Sequence, residues 1–292
     1  MLNNKLMQNF PKGLNNTGNT CYLNAGTQML LQNVDFCNTV IANRGVNDDM
    51  EQLAKFIEAY RQAPISSSLT PNIIKDILGA RHERFSGNQQ QDSQDMINSL
   101  MDILNKWTKD AFTPLFQIRS QQTIKCKLRS CLKKSITPDV NDFLILPVVP
   151  TTLDECYRAY KIHERLDGEE MYFCSHCKAK RIASRRLEVI TWPKHLIVFL
   201  KRFTNDGSRT TKNNTPIDIP EKWRHGYTIK GCVIHTGGIN GGHYYYISRI
   251  EKPNGSVEWY NCNDSGVTRI TESEAHREMD INGYIIYYEK DV

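Results

Sequence analysis

No apolar run in this chain approaches the roughly 20 residues a membrane helix requires, and the mean hydropathy of −0.52 points the same way. The opening MLNNKLMQNFPKG lacks the basic-then-apolar pattern of a secretory signal. The expectation is a protein with no membrane association, kept in a reducing compartment, cytoplasmic or nuclear. The 292 residues contain no internal repeat, no low-complexity tract and no linker that would separate independent units. Charge of one sign is scarce too: 37 Lys and Arg stand against 32 Asp and Glu, a net of +5. The one locally basic run, KAKRIASRR at 178–186, has neither interleaved aromatics nor a helix-turn-helix context. It reads as a solvated face, so no nucleic-acid partner is expected.

What is present suits a globular protein with a real core: 39% hydrophobic and 24% charged residues. Nine cysteines are an odd number in a chain large enough to fold without disulfides. In a reducing compartment they serve metal binding, catalysis or burial.

Periodicity divides the chain. Helical spacing of apolar residues covers 21–33, 47–62, 71–79, where Thr70 would cap and Pro71 would open the helix, and 91–107. Met96, Ile97, Leu100, Met101 and Leu104 form one stripe, read as core. After Pro114 the segments are short, β-branched or aromatic and bounded by Gly, Pro, Asn or Asp, for example HLIVFLKRF, HYYYISRI and VEWYNCN. The pattern predicts an α+β fold, helices packed beside a mostly antiparallel sheet.

Two places carry chemistry. Cys21 follows the Gly- and Asn-rich GLNNTGNT and opens an apolar-periodic helix. A helix N-terminus stabilises a thiolate, as a nucleophile requires; a buried structural thiol fits that position equally well. Downstream, CVIHTGGINGGHYYYISRI ends a Gly-rich loop at His243, on a strand start that a substrate peptide can reach. Asn263 and Asp264 follow on the next strand and are candidates to orient the imidazole. Cys, then His, then Asn or Asp is the order of papain-like catalysis. His235, eight residues before His243, is the rival base.

At these residues the chain resembles the ubiquitin-specific protease family. GLNNTGNTCYLNA at 13–25 is similar to that family's Cys box, and HTGGINGGHYYYISR with WYNCNDSGV to its His box. QQDSQD at 90–95, WPKHLIVFLKRF at 192–203 and YIIYYEK resemble its remaining motifs, in order, from Gly13 to about Lys290. The resemblance implies a papain-like cysteine protease with a helical thumb, an antiparallel β palm and zinc-bearing β fingers. Residues 1–12 would be a lead-in to a single catalytic domain over 13–292. Within it the thumb would span about 13–112, the fingers about 113–140 and 163–191, and the palm mainly 141–162 and 192–292. Cys21 would be the nucleophile, His243 the base and then acid, and Asn263 the orienting residue with Asp264 beside it. Asn16 would help bind the oxyanion. Gln90, Asp92 and Asp95 match positions near the bound ubiquitin tail, with Gly241, Gly242 and Tyr244 lining the cleft. Ubiquitin or ubiquitinated proteins would be the partners of a monomeric thiol-dependent hydrolase. Alternatives are an inert ubiquitin-binding module and a protease for a ubiquitin-like modifier.

CSHC at 174–177 has the spacing of a metal-ligand pair, and Cys126 with Cys131 supplies a second pair at the wider C-x4-C spacing. A structural, non-catalytic Zn²⁺ on four thiolates is the expectation, against a site degraded by slipped register. His176 would be a bystander able to replace a misplaced thiolate. Cys37, Cys156, Cys232 and Cys262 are assigned to burial.

Overall fold

The computed structural model describes residues 10–161, 164–205, 207, 210–238 and 241–291. The expected lead-in therefore lies outside the described residues up to residue 9, as does residue 163, where the second fingers segment was expected to begin.

Helices come first: α1 (Cys21–Gln32), α2 (Val34–Ala42), α3 (Asp48–Gln62), α4 (Asn72–Gly79), α5 (Ser93–Thr108) and the single turn α6 (Thr113–Phe116). Local chemistry sets several starts. Asn47 caps α3 by accepting from Met50 N at 2.8 Å, and Asp92 caps α5 through Gln94 N at 2.7 Å and Asp95 N at 3.2 Å. The α4 start differs from expectation. Pro71 occupies the cap position, with φ −83° and ψ 44°, and the helix opens at Asn72; Thr70 instead accepts from Asn15 Nδ2 at 3.0 Å.

Two further helices, α7 (Leu153–Tyr160) and α8 (Glu272–Asn282), interrupt the strand-rich part. Both begin with a capping box, Thr152 with Glu155 and Thr271 with Glu274.

The main sheet runs in the order Gly266–Ile270, Val257–Asn263, Gly242–Glu251, Tyr227–Gly237, Gly283–Lys290, His195–Lys201 and Leu144–Pro147. It is antiparallel except for the last pair. Strand periodicity of two puts alternate residues on opposite faces. Ile197, Phe199, Tyr244, Tyr246, Ile285 and Tyr287 pack with the α1–α5 side. Leu196, Val198, Tyr245, Ile247, Ile286 and Tyr288 join a second core with α7 and α8. A sheet buried on both faces makes a stiff platform, and α1 lies across it.

A second antiparallel sheet projects from this body, in the order Lys134–Asn141, Ile118–Cys126, Ala183–Thr191 and Glu164–Leu166, with the hairpin Tyr172–Cys174 and Ala179–Arg181 beside its tip. Among the described residues no helix is long and apolar enough to cross a membrane.

Candidate active site

The loop before α1 is shaped by one side chain. Asn16 Oδ1 accepts from Gly18 N at 3.0 Å, Thr20 N at 3.1 Å and Thr20 Oγ1 at 3.2 Å. Gly18, at φ +116°, takes a backbone conformation that L side chains resist. Thr20 makes no side-chain cap to α1, so the first N–H groups of the helix stay available. The backbone N–H groups of Cys21 and Tyr22, and that of Tyr244 from the main sheet, reach the Cys21 sulfur. The nucleophile candidate therefore sits beside the residue that follows His243.

Burial outweighs these donors. Cys21 is 4% exposed, and burial first, then the nearby Asp264 carboxylate, raises its thiol pKa. The helix-start N–H groups do lower it, as expected, but burial outweighs them and leaves the thiol pKa above its ordinary value, so a base is needed to take the proton.

His243 starts strand 242–251, opposite Thr236. Its Nε2 lies 2.6 Å from Asn263 Oδ1, at the end of the neighbouring strand. Because that oxygen only accepts, Nε2 carries the hydrogen and Nδ1 is the basic atom. Asp264 does something else. Its Oδ2 accepts from Asn16 Nδ2 at 2.9 Å and its Oδ1 from Asn24 Nδ2 at 2.7 Å, while its carbonyl accepts from Leu14 N at 2.8 Å. Of the two orienting candidates, only Asn263 contacts the imidazole; Asp264 ties the Asn16 loop to α1.

His235 is 3% exposed and packed against Tyr244 and Phe203, with ring centroids at 4.5 and 5.2 Å. Burial first, then Lys212 and Arg202, pulls its pKa down to about 4. A Cβ on Gly242 would meet His235 Nε2 at 2.2 Å, so only glycine fits where the chain crosses this ring. Gly241 faces open space.

The QQDSQD residues divide. Gln90 donates to Gly242 O at 3.2 Å, bridging the helical side to the His243 strand. Asp95 is exposed in part and paired with Arg84 at 2.7 Å. Asp92 turns inward: beyond its cap bonds it accepts from Tyr244 Oη at 2.9 Å and from Tyr284 Oη at 3.0 Å. Tyr244 itself is 8% exposed, its hydroxyl spent on Asp92. Asn24, Ser93 and Tyr284 were missed from sequence. Asn24 had a signal, three residues after Cys21 on the same helix face; the reach of Tyr284 is a tertiary fact.

At the tip of the projecting sheet, the sulfurs of Cys126, Cys131, Cys174 and Cys177 all lie within 4.8 Å of one another and can hold a metal ion. The wider C-x4-C spacing is absorbed by a turn in which Cys131 N and Leu132 N both donate to Leu128 O, at 2.9 and 3.1 Å. Cys131 Sγ is 3.8 Å from Cys174 Sγ and 3.5 Å from His176 Nδ1. Backbone N–H groups of Cys177 and His176 hold the Cys174 thiol down to about 7. The other four cysteines, Cys37, Cys156, Cys232 and Cys262, are buried.

A thumb of helices, a palm sheet and projecting fingers with the nucleophile candidate at a helix start define a papain-like cysteine protease fold. The chain belongs to the ubiquitin carboxyl-terminal hydrolase family, whose model matches residues 12–288. Ubiquitin carboxyl-terminal hydrolase 2 of Rattus norvegicus is 26% identical over 338 aligned positions, covering 95% of this chain and 53% of the relative. The Homo sapiens protein of that name is 25% identical, with 95% and 54% covered. The chain thus spans about half the length of these relatives. Among solved structures, the SAGA DUB module Ubp8/Sgf11/Sus1/Sgf73 bound to monoubiquitin contains a chain of the same fold. Its TM-score is 0.81 at 19% identity, covering 98% of this chain and 70% of that one. The module bound to ubiquitin aldehyde gives 0.78 at 19% identity, with 98% and 71% covered.

Proposed function

We propose that this chain is a cysteine-type deubiquitinase that hydrolyses the bond after the C-terminal glycine of ubiquitin. The observation that carries the reading is the meeting of Cys21, through the Tyr244 backbone, with the strand that opens on the His243–Asn263 pair. In this reading His243 Nδ1 takes the Cys21 proton, and the thiolate attacks the glycine carbonyl. Asn263 holds the imidazole by its other nitrogen. One hydrogen of Asn16 Nδ2 is engaged by Asp264; the second, with the Cys21 backbone N–H, is assigned to the developing oxyanion. His243 returns the proton to the leaving amine, and water then cleaves the thioester to free thiol and carboxylate.

We assign the thumb to about 13–112, the fingers to about 113–140 and 163–191, and the palm mainly to 141–162 and 192–292. Gln90, Asp95, Gly241 and Gly242 are assigned to the channel for the ubiquitin tail. A structural Zn²⁺ is assigned to Cys126, Cys131, Cys174 and Cys177. Tetrahedral zinc with bonds of about 2.3 Å sets sulfurs about 3.8 Å apart, and one pair already stands at 3.8 Å. That ion would cross-link the fingertip and take no part in the reaction.

The test is reaction with ubiquitin carrying a C-terminal electrophile, in parallel with equivalent probes for ubiquitin-like modifiers. Covalent labelling by the ubiquitin probe, abolished in Cys21→Ser and in His243→Ala but retained in His235→Asn, supports the reading. Tight ubiquitin binding with no adduct supports the inert module, and labelling only by another modifier redirects the specificity.

A further inference from the structure

Two adjacent residues at the start of α5 each grip the neighbour of one member of the catalytic pair. Ser93 is fully buried, and its Oγ donates to the carbonyl of Tyr22, which follows Cys21, at 2.8 Å. Asp92 Oδ2 accepts from Tyr244, which follows His243, at 2.9 Å. Tyr284, on strand 283–290, donates to both Asp92 oxygens at 3.0 and 3.1 Å. Capping α5 needs only one carboxylate oxygen, Oδ1, which serves Gln94 N and Asp95 N. Nothing in capping calls for two tyrosine hydroxyls from two palm strands.

We propose that Asp92 and Ser93 act as a positioning bracket, fixing α1 and the His243 strand to one rigid peptide unit. The separation of sulfur and imidazole is then set by one helix start and not by the loops on either side. The inference rests on the hydrolase reading above. It also gives Asp92 a role different from the tail contact expected from sequence, since its oxygens already serve four donors from inside the protein.

The two roles predict different kinetics. Alkylation of Cys21 by iodoacetamide, followed by mass spectrometry of the Cys21 peptide, needs no ubiquitin. A positioning residue alters its pH profile, whereas a tail contact leaves it untouched. Steady-state hydrolysis of ubiquitin bearing a fluorogenic amine separates kcat from KM. We expect Ser93→Ala and Asp92→Ala each to lower kcat on the order of tenfold, with KM within about twofold, because small misplacements of reacting groups are costly. Both should shift the alkylation profile. Asp92→Asn, which keeps an acceptor oxygen for the tyrosines, should recover part of the loss. Should Asp92→Ala not fold, Ser93→Ala and Tyr284→Phe carry the test. A raised KM with an unchanged alkylation profile, or wild-type kcat in these variants, overturns the bracket. Should the folded wild type fail to hydrolyse ubiquitin at all, the hydrolase reading fails, and the alkylation profiles still decide the bracket.

Discussion

The palm and the fingers are both built mainly from antiparallel strands, yet they are held in opposite ways. In the palm, six of the seven residues of His195–Lys201 are buried, odd positions against the thumb helices and even ones against α7 and α8. In the fingers, every residue of the edge strand Lys134–Asn141 is exposed, with Ile136 at 57% and Val140 at 53%. The palm holds itself by burial from both sides. The fingers have no such two-sided burial along this strand, and the zinc proposed for the four cysteines at their tip would supply a cross-link where packing is thin.

Removing the cross-link should have the largest effect. Structural zinc on thiolates contributes on the order of 10 kcal/mol of binding free energy, available only to the folded site. Chelation with phenanthroline, or Cys174→Ser, should strip amide-exchange protection from 118–141 and 164–191 while the palm strands keep theirs. Unchanged protection in the fingers would mean that they hold themselves and the contrast is false.

The reverse test lies in the palm. Phe199 is fully buried and packs against Phe143 with ring centroids 4.9 Å apart. Phe199→Ala should cost about 3–5 kcal/mol by urea unfolding, since a large cavity opens in a stiff surround. A loss below roughly 1 kcal/mol would show that the palm relaxes as readily as an exposed hairpin.

His235 gives an intermediate effect through pH. Its pKa falls from an unfolded value of 6.5 to about 4 in the folded protein. The unfolded chain therefore binds the extra proton between those values, so stability is full above about pH 6.5 and declines as pH falls toward 4. Compared with His235→Asn, the wild type should lose on the order of 2 kcal/mol more between pH 7 and pH 4.5. Parallel pH–stability curves for the two proteins would mean that water reaches this ring.

The same contrast explains what could be read in advance. Palm strands such as HLIVFLK and YIIYYEK are continuous apolar runs because both faces are buried, and they were plain in the sequence. Cys21, His243 and the four fingertip cysteines stood out because their chemistry demands particular residue types at particular spacings. Helices α7 and α8 were missed although T-x-x-E marks both starts, because short charged helices blend into a strand-rich stretch. What the sequence could not show was which partner each polar group takes. Asp264 stands next to Asn263 in the chain, yet its left-handed backbone, φ 50°, coincides with a carboxylate bound to Asn16 and Asn24 and away from His243. The thiol pKa followed burial for the same reason: desolvation is set by the whole fold, and the N–H groups of the helix start only partly offset it.

The smallest effect sharpens the contrast most. Ile136 is more than half exposed on an edge strand that, among the described residues, pairs only with Ile118–Cys126. Ile136→Ser removes little surface from a buried setting, and serine is tolerated in an edge strand despite its weaker β propensity. The expected change in unfolding free energy is within about 0.5 kcal/mol, against several for a single palm phenylalanine. A loss above roughly 1 kcal/mol would mean that the apolar row formed by Ile136 and Val140 on one face of the strand is sheltered in solution. The fingers would then share the palm's means of support, and the metal would become a second fastening, not the main one.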